Sequence, residues 1–196
     1  MKILIDFDQT ILKTSKSLIK NWNILNPNNK LKYKEPVEWD FKNILEGTNV
    51  TLKELCSVFD YDNFYDNYYL IDGAKESIEK LLKDGHELII LTKHDKARRP
   101  ITKAFIDKLF DNKIKVEFVD SFDIKNEYEA DVIIDDKIES LINSKCKTRI
   151  EFGDNVWSKN LEGIIRCYNW TQVLDVINFI KKDWWYENSL FMWEVC

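Results

Sequence analysis

The first apolar run, Lys2-Ile3-Leu4-Ile5, leads into Asp6-Phe7-Asp8-Gln9-Thr10, so a strand delivers two carboxylates, one residue apart, into a polar turn. Asp6 and Asp8 project to one side if the strand persists, and fan around one point if it turns. Like charges that close are unfavourable unless a cation neutralises them, and oxygen ligands in an open site suit Mg²⁺. Two later apolar runs also end in polar residues. Thr92 follows Leu88–Leu91, and Asp135 and Asp136 follow Ile133 and Ile134. One polar residue at a strand end means little. Acids or a hydroxyl at three strand ends point to a shared site.

The elements that must hold these residues read as an alternation. Strands are expected at Lys2–Asp6, Glu87–Thr92, Lys115–Asp120 and Asp131–Asp135, with weaker ones at Thr148–Phe152 and Gly163–Cys167. Helical spacing places Ile78, Leu81 and Leu82 on one face of Lys75–Asp84, with Asp72 as its N-cap and Gly85 just beyond its end. Pro100–Phe110 opens with proline at a permitted first turn, and a last helix runs over Trp170–Lys182. Strands alternating with helices predict an α/β fold whose parallel sheet is covered on both faces. Ligands then bind beyond the carboxyl ends of the strands, where these polar residues gather.

Residues Ile11–Leu70 break the alternation. They contain helical patterns at Leu12–Leu25 and Thr51–Phe59 and a loop with Pro27, Asn28, Asn29 and Pro36. This reads as a helical insertion, rich in aromatics from Trp22 to Tyr69. Most of these are expected to fill the insertion's own core, and a few to stack on a flat substrate. The organisation expected is therefore a core of residues 1–10 and 71–182, an insertion of residues 11–70, and a tail of residues 183–196. The tail holds Trp184, Trp185 and Trp193, and either packs back on the core or forms a homodimer contact.

Bulk properties narrow the class. With 29 Lys and Arg against 34 Asp and Glu, the net charge of −5 gives no general attraction to nucleic-acid polymers or anionic membranes. An anionic ligand must therefore meet a local basic site or a metal. No run is long and apolar enough to span a membrane. Cys56, Cys146, Cys167 and Cys196 are scattered, as reduced thiols of a cytoplasmic protein are, and the lack of a charged leader fits that setting. Only His86 and His94 could join them at a zinc site, so zinc is not expected.

The pattern Asp6-Phe7-Asp8-Gln9-Thr10 resembles the first motif of the haloacid dehalogenase (HAD) superfamily. Thr92 resembles the second motif, Lys125 the third, and Ile133-Ile134-Asp135-Asp136 the fourth. Within that superfamily the chain is similar to the 5′(3′)-deoxyribonucleotidases. These also insert a helical cap after the first motif and place a Lys ten residues before an Ile-Asp-Asp motif, as Lys125 stands to Asp135. Glu38-Trp39-Asp40-Phe41 and Asn169-Trp170 match two further family features. The resemblance covers about residues 1–180 and implies a HAD-like Rossmannoid three-layer core with a small helical cap inserted after the first strand.

It further implies a Mg²⁺-dependent phosphatase acting on nucleoside monophosphates through an aspartyl phosphate. Asp6 would be the nucleophile, and Asp8 the acid and then the base. Thr92, Lys93 and Lys125 would hold phosphate oxygens. The metal would be held by Asp6, the backbone carbonyl of Asp8 and Asp136, with Asp135 supporting them. Trp39 and Phe41 would stack the base. Gln9 stands where the family usually has Gly, so it is strained if the turn needs a positive φ, or else directs its amide to the substrate. The stretch Lys93-His94-Asp95-Lys96-Ala97-Arg98-Arg99 is expected to form a positive rim. Since Asp8 already serves as acid and base, His94 has no required part. Two alternatives remain: a HAD phosphatase for another small phosphomonoester, and a catalytically silent nucleotide- or phosphate-binding module.

Overall fold

The computed structural model describes residues 1–37, 42–155 and 161–193, with side chains described up to residue 182. In chain order the elements are β1 (Lys2–Ile5), α1 (Thr14–Leu25), α2 (Lys42–Leu45), α3 (Leu52–Cys56), α4 (Ala74–Lys83), β2 (Glu87–Lys93), α5 (Arg99–Leu109), β3 (Lys115–Val119), α6 (Phe122–Lys125), β4 (Val132–Asp135), β5 (Thr148–Phe152), β6 (Ile165–Cys167) and α7 (Trp170–Trp193). The six strands form one sheet in the order β3-β2-β1-β4-β5-β6, and every adjacent pair is parallel.

Side-chain alternation divides the core. Ile3 and Ile5 of β1 join the large cluster with Phe7, Ile78, Ile106, Val173 and Ile177, while Leu4 joins a smaller one with Ile89, Leu91, Ile133 and Leu141. Both faces of the sheet are therefore apolar, as a buried parallel sheet requires. The chain leaves β1 towards β2 and β3 on one side, and returns to β4, β5 and β6 on the other. The strand order reverses between β1 and β4, which creates a crevice beyond their carboxyl ends.

Several local features depart from the sequence expectation. The N-cap of α4 is Gly73, at φ 74°, and not Asp72; no side chain caps this helix. The backbone enters through a left-handed residue, which glycine adopts without strain. The helical segment at Thr51 starts as expected, with the Thr51 hydroxyl accepting from the Glu54 amide and the Glu54 carboxylate accepting from Thr51. It tightens to a 3₁₀ turn over Ser57–Asp60. The last helix does not stop at Lys182 but continues to Trp193. The four-residue helix α6 was not foreseen, being too short to show a hydrophobic period.

Candidate active site

Asp6 is the first residue after β1, and its amide donates to the carbonyl of Ile134 on β4. That bond fixes Asp6 beside Asp135, the last residue of β4, and Asp136 next to it. Asp6, Asp135 and Asp136 are buried and offer oxygens within 4.8 Å of one another. Lys125, at the end of α6, is only 1% exposed, and its Nζ donates to Asp6 Oδ1 and Asp135 Oδ2, each at 2.6 Å. The other oxygen of Asp135 accepts from the Lys137 amide at 2.9 Å. Both oxygens of Asp135 are thereby engaged.

Charge does not balance here. Burial, reinforced by Asp135 and Asp8 and opposed by Lys125, pushes Asp6 up to about 7. Burial and then the neighbouring Asp135 and Asp6 push Asp136 well above the usual carboxylate range. Burial opposes the Lys125 ammonium, but Asp135 and Asp6 outweigh it and hold the lysine charged. Lys125 is the one enclosed ammonium bonded into this group of three crowded carboxylates among the described residues, with Lys137 acting on Asp135 and Asp136 from a more exposed position, which leaves a deficit of positive charge in an all-oxygen setting. A hard divalent cation such as Mg²⁺ fits that deficit.

Asp8 lies in a second, separate network. Its Oδ1 accepts from the Thr14 hydroxyl at 2.6 Å and from the Arg98 guanidinium at 3.2 Å, and its Oδ2 meets His94 Nε2 at 2.6 Å. Burial favours the neutral acid, but Arg98 and His94 outweigh it and hold Asp8 well below the usual carboxylate range. Burial also lowers His94, more than Asp8 raises it, which favours the neutral imidazole. A neutral ring facing an anionic acid carries its proton on Nε2.

Gln9 has φ 57°, so the strain anticipated for a residue other than glycine is present. The residue lines the cavity, but its side-chain amide is already engaged. It turns to α1, where Oε1 accepts from the Ser15 amide at 3.2 Å and Nε2 lies 3.4 Å from the Ser15 hydroxyl. The expected positive rim is present only in part: Lys93 and Arg98 line the cavity, but both arginines of the stretch are engaged. Arg98 is buried on Asp8 and Tyr65 and lies over the Phe59 ring, its guanidinium carbon 4.0 Å from the centroid. Arg99 binds the carbonyls of His94 and Val119 and the carboxylate of Asp120. Planar guanidinium groups find fixed acceptors, which here hold both arginines in place.

A cavity of about 560 Å³ opens over these groups. Its floor brings together Asp6, Asp8, Thr92, Lys93, Asp135 and Asp136, while Lys125 lies just beneath, bonded to Asp6. Leu52, Lys53, Cys56, Ser57, Phe59 and Asp60 supply a further wall. Trp39 and Phe41 lie outside the described residues. Sequence reasoning grouped Phe59 and Tyr65 with the aromatics of residues 11–70 without assigning either to the wall or to Asp8, and passed over Thr14 and Thr102. His94, two residues after Thr92, carried the one signal that was available and set aside. Tyr65 and Thr102 carried none, because their pairing spans 37 positions.

Comparison with known proteins agrees with this fold. No curated protein matches the chain. Among solved structures, a HAD-superfamily hydrolase of subfamily IA, variant 1, from Geobacter sulfurreducens is 12% identical with a TM-score of 0.55, covering 89% of this chain and 95% of its own. A protein described as the HAD-hydrolase YfnB from Bacillus subtilis, bound to magnesium, is 16% identical with a TM-score of 0.57, covering 90% and 98%. A HAD hydrolase of family IA, variant 3, from Entamoeba histolytica is 15% identical with a TM-score of 0.53, covering 87% and 94%. These likenesses establish the fold. The family model described as "5' nucleotidase, deoxy (Pyrimidine), cytosolic type C protein" matches residues 1–183, so the chain belongs to this family of 5′-nucleotidases, which are phosphoric monoester hydrolases.

Proposed function

We propose that the protein hydrolyses nucleoside monophosphates, deoxy ones above all, to nucleoside and phosphate. The observation that carries this reading is the meeting of Asp6, Asp135, Asp136 and Lys125 beyond the carboxyl ends of β1 and β4, beneath a cavity walled by the insertion. In this reading Asp6 attacks phosphorus through the oxygen not bound by Lys125, and the P–O bond to the nucleoside breaks as the aspartyl phosphate forms. Asp8 takes up the proton that the substrate monoanion brings, gives it to the departing alkoxide, and then takes one from the water that cleaves the intermediate. The phosphate beside Asp8 raises its hold on that proton, because a second negative charge favours the neutral acid.

Thr92, Lys93 and Lys125 hold the remaining phosphate oxygens. Asp6, Asp136 and the backbone carbonyl of Asp8 would hold Mg²⁺, with Asp135 steadied by Lys125 and Lys137 behind them. The ion, when bound, offsets the charge between anionic nucleophile and anionic substrate. The sugar and base then lie against the insertion (residues 11–70, acting as a cap), on the wall of Leu52, Cys56 and Phe59, and the family resemblance assigns base stacking to Trp39 and Phe41. Among the described residues no helix is long and apolar enough to cross a membrane. The cytoplasmic setting rests on the cysteine pattern and on the family's description.

Assay of the purified protein on dUMP, dTMP and their ribonucleotide counterparts, with Mg²⁺ or a chelator, tests the reading. Nucleotides should be hydrolysed only with the metal, and Asp6→Asn should reduce turnover to background without loss of fold. Hydrolysis of simple phosphate esters as readily as nucleotides overturns the substrate assignment. Retained activity in Asp6→Asn overturns the nucleophile.

A further inference from the structure

The second network closes on itself and joins the insertion to the core. The Arg98 guanidinium donates to Asp8 Oδ1 and, at 3.3 Å, to the Tyr65 hydroxyl. The Tyr65 hydroxyl is 2.8 Å from Thr102 Oγ1, which is 2.9 Å from His94 Nδ1, and His94 Nε2 returns to Asp8 Oδ2. Tyr65 belongs to the insertion, His94 follows β2, and Thr102 lies on α5. The four other members of the ring, Arg98, Tyr65, Thr102 and His94, are buried.

Hydrogen-bond logic gives the ring one direction. Asp8 as an anion can only accept, so His94 donates from Nε2 and its Nδ1 must accept. The Thr102 hydroxyl therefore donates to His94, the Tyr65 hydroxyl donates to Thr102, and Arg98 donates to Tyr65. Every hydroxyl hydrogen on the ring then has one acceptor. Asp8 Oδ1 already takes two donors, Thr14 and Arg98, while Oδ2 takes His94 alone among the described residues. Oδ2 thus retains a lone pair. The Asp8 side chain is 27% exposed and lines the cavity, so that lone pair belongs to a group the substrate reaches.

Packing fixes the far end of the ring. The Tyr65 ring stacks on Phe105 of α5, with centroids 4.4 Å apart and planes 9° apart, and meets Phe7 and Phe64 edge-on. Phe7 sits between Asp6 and Asp8 in sequence. The tyrosine is therefore located by aromatic contacts that do not depend on its hydroxyl, while the hydroxyl itself bridges Thr102 and Arg98.

We propose that Tyr65, Thr102, His94 and Arg98 are positioning residues for the leaving-group half of the reaction, acting through Asp8. Seating of the insertion on α5 through Tyr65 sets the carboxylate so that Oδ2 handles the proton passed to the departing alkoxide. No bond in the ring is made or broken in this role. The inference rests on the reading of Asp8 as the general acid, and adds a specific dependence of that acid on the insertion.

Leaving-group chemistry provides the test. A nucleoside alkoxide needs a proton to depart, whereas p-nitrophenolate departs without one. The kcat/KM value reports steps up to loss of the leaving group, so the later attack of water does not enter. Tyr65→Phe keeps the stacked ring and deletes the bridge. Thr102→Val keeps the shape and deletes the donor to His94. Each is expected to lower kcat/KM for dUMP by about tenfold, part of the 10²–10⁴ that a placed acid supplies, and p-nitrophenyl phosphate by less than about threefold. Because both variants break one circuit, the double variant should lose no more than the worse single one. Equal losses on the two esters, no loss on dUMP, or additive losses overturn the inference. Thr102→Val decides the matter should Tyr65→Phe not fold, as judged by near-UV circular dichroism. Failure of the unaltered protein to hydrolyse either ester with Mg²⁺ overturns the phosphatase reading itself. Turnover with unchanged ester ratios in the variants overturns only the positioning role.

Discussion

Lys125 shows how one side chain serves both stability and chemistry. Its ammonium is enclosed and bonded to Asp6 and Asp135 at once, so it neutralises part of a cluster that would otherwise be repulsive. Removing one member of a buried ion pair leaves an uncompensated charge, which costs about 3–5 kcal/mol. Lys125→Met keeps most of the volume and deletes the charge. It should lose roughly that stability in urea unfolding of the chelator-treated protein at pH 8. The deficit should shrink towards pH 5.5, where Asp6 can take up a proton in place of the missing ammonium. A loss below about 1 kcal/mol at pH 8 would show that the two carboxylates do not depend on this lysine.

The turn from β1 into α1 sets the direction of both acids, and Gln9 is the residue on which it depends. Its left-handed backbone costs on the order of 1 kcal/mol, while its side chain satisfies the Ser15 amide in the first turn of α1, a capping bond worth about the same. Gln9→Ala keeps the strain and loses the cap, so it should destabilise by about 1–2 kcal/mol. Gln9→Gly loses both and should be within about 0.5 kcal/mol of the parent protein. Thermal unfolding that ranks Ala above Gly would contradict this. The sequence allowed the strain to be anticipated but not the cap, because a glutamine bonding six residues ahead follows no helix-capping pattern. The same limit applies more widely. Long apolar runs such as Glu87–Thr92 identified the sheet, and acids at their ends located the floor of the site. Arg98 looked like a rim charge because its partners, Asp8 and Tyr65, are 90 and 33 positions away. α6 was invisible as four residues, although the spacing of Lys125 to Asp135 marked its most important member.

Across the whole molecule, the topology that makes the site also makes it a weak point. The reversal of strand order brings the ends of β1 and β4 together and so forces Asp6, Asp135 and Asp136 into one buried space. Such crowding is tolerated at a functional site because its charge answers a ligand. The consequence for the metal-free protein follows from linkage. Asp6 rises from 3.8 to about 7 on folding, and Asp136 rises in the same direction. Between those values the folded chain holds more protons than the unfolded chain, so the contribution of these groups to stability falls as pH rises from about 4 to 7. The two histidines, both lowered by burial, act oppositely below pH 6.5, so the pH profile of one protein mixes the two effects. Comparison with Asp136→Asn cancels the histidines. This variant removes one carboxylate and relieves Asp6, so in chelator it should melt above the parent protein at pH 7.5 and close to it at pH 4.5. A difference of about 2 kcal/mol at the higher pH corresponds to roughly 4–8 °C for a chain of this length. Mg²⁺ at ten times its dissociation constant should stabilise the parent by about 1.4 kcal/mol and leave the variant nearly unmoved, with its hydrolysis of dUMP lost. Equal melting temperatures in chelator at pH 7.5, or equal stabilisation of both proteins by Mg²⁺, would mean that Asp136 neither strains the empty fold nor binds the ion.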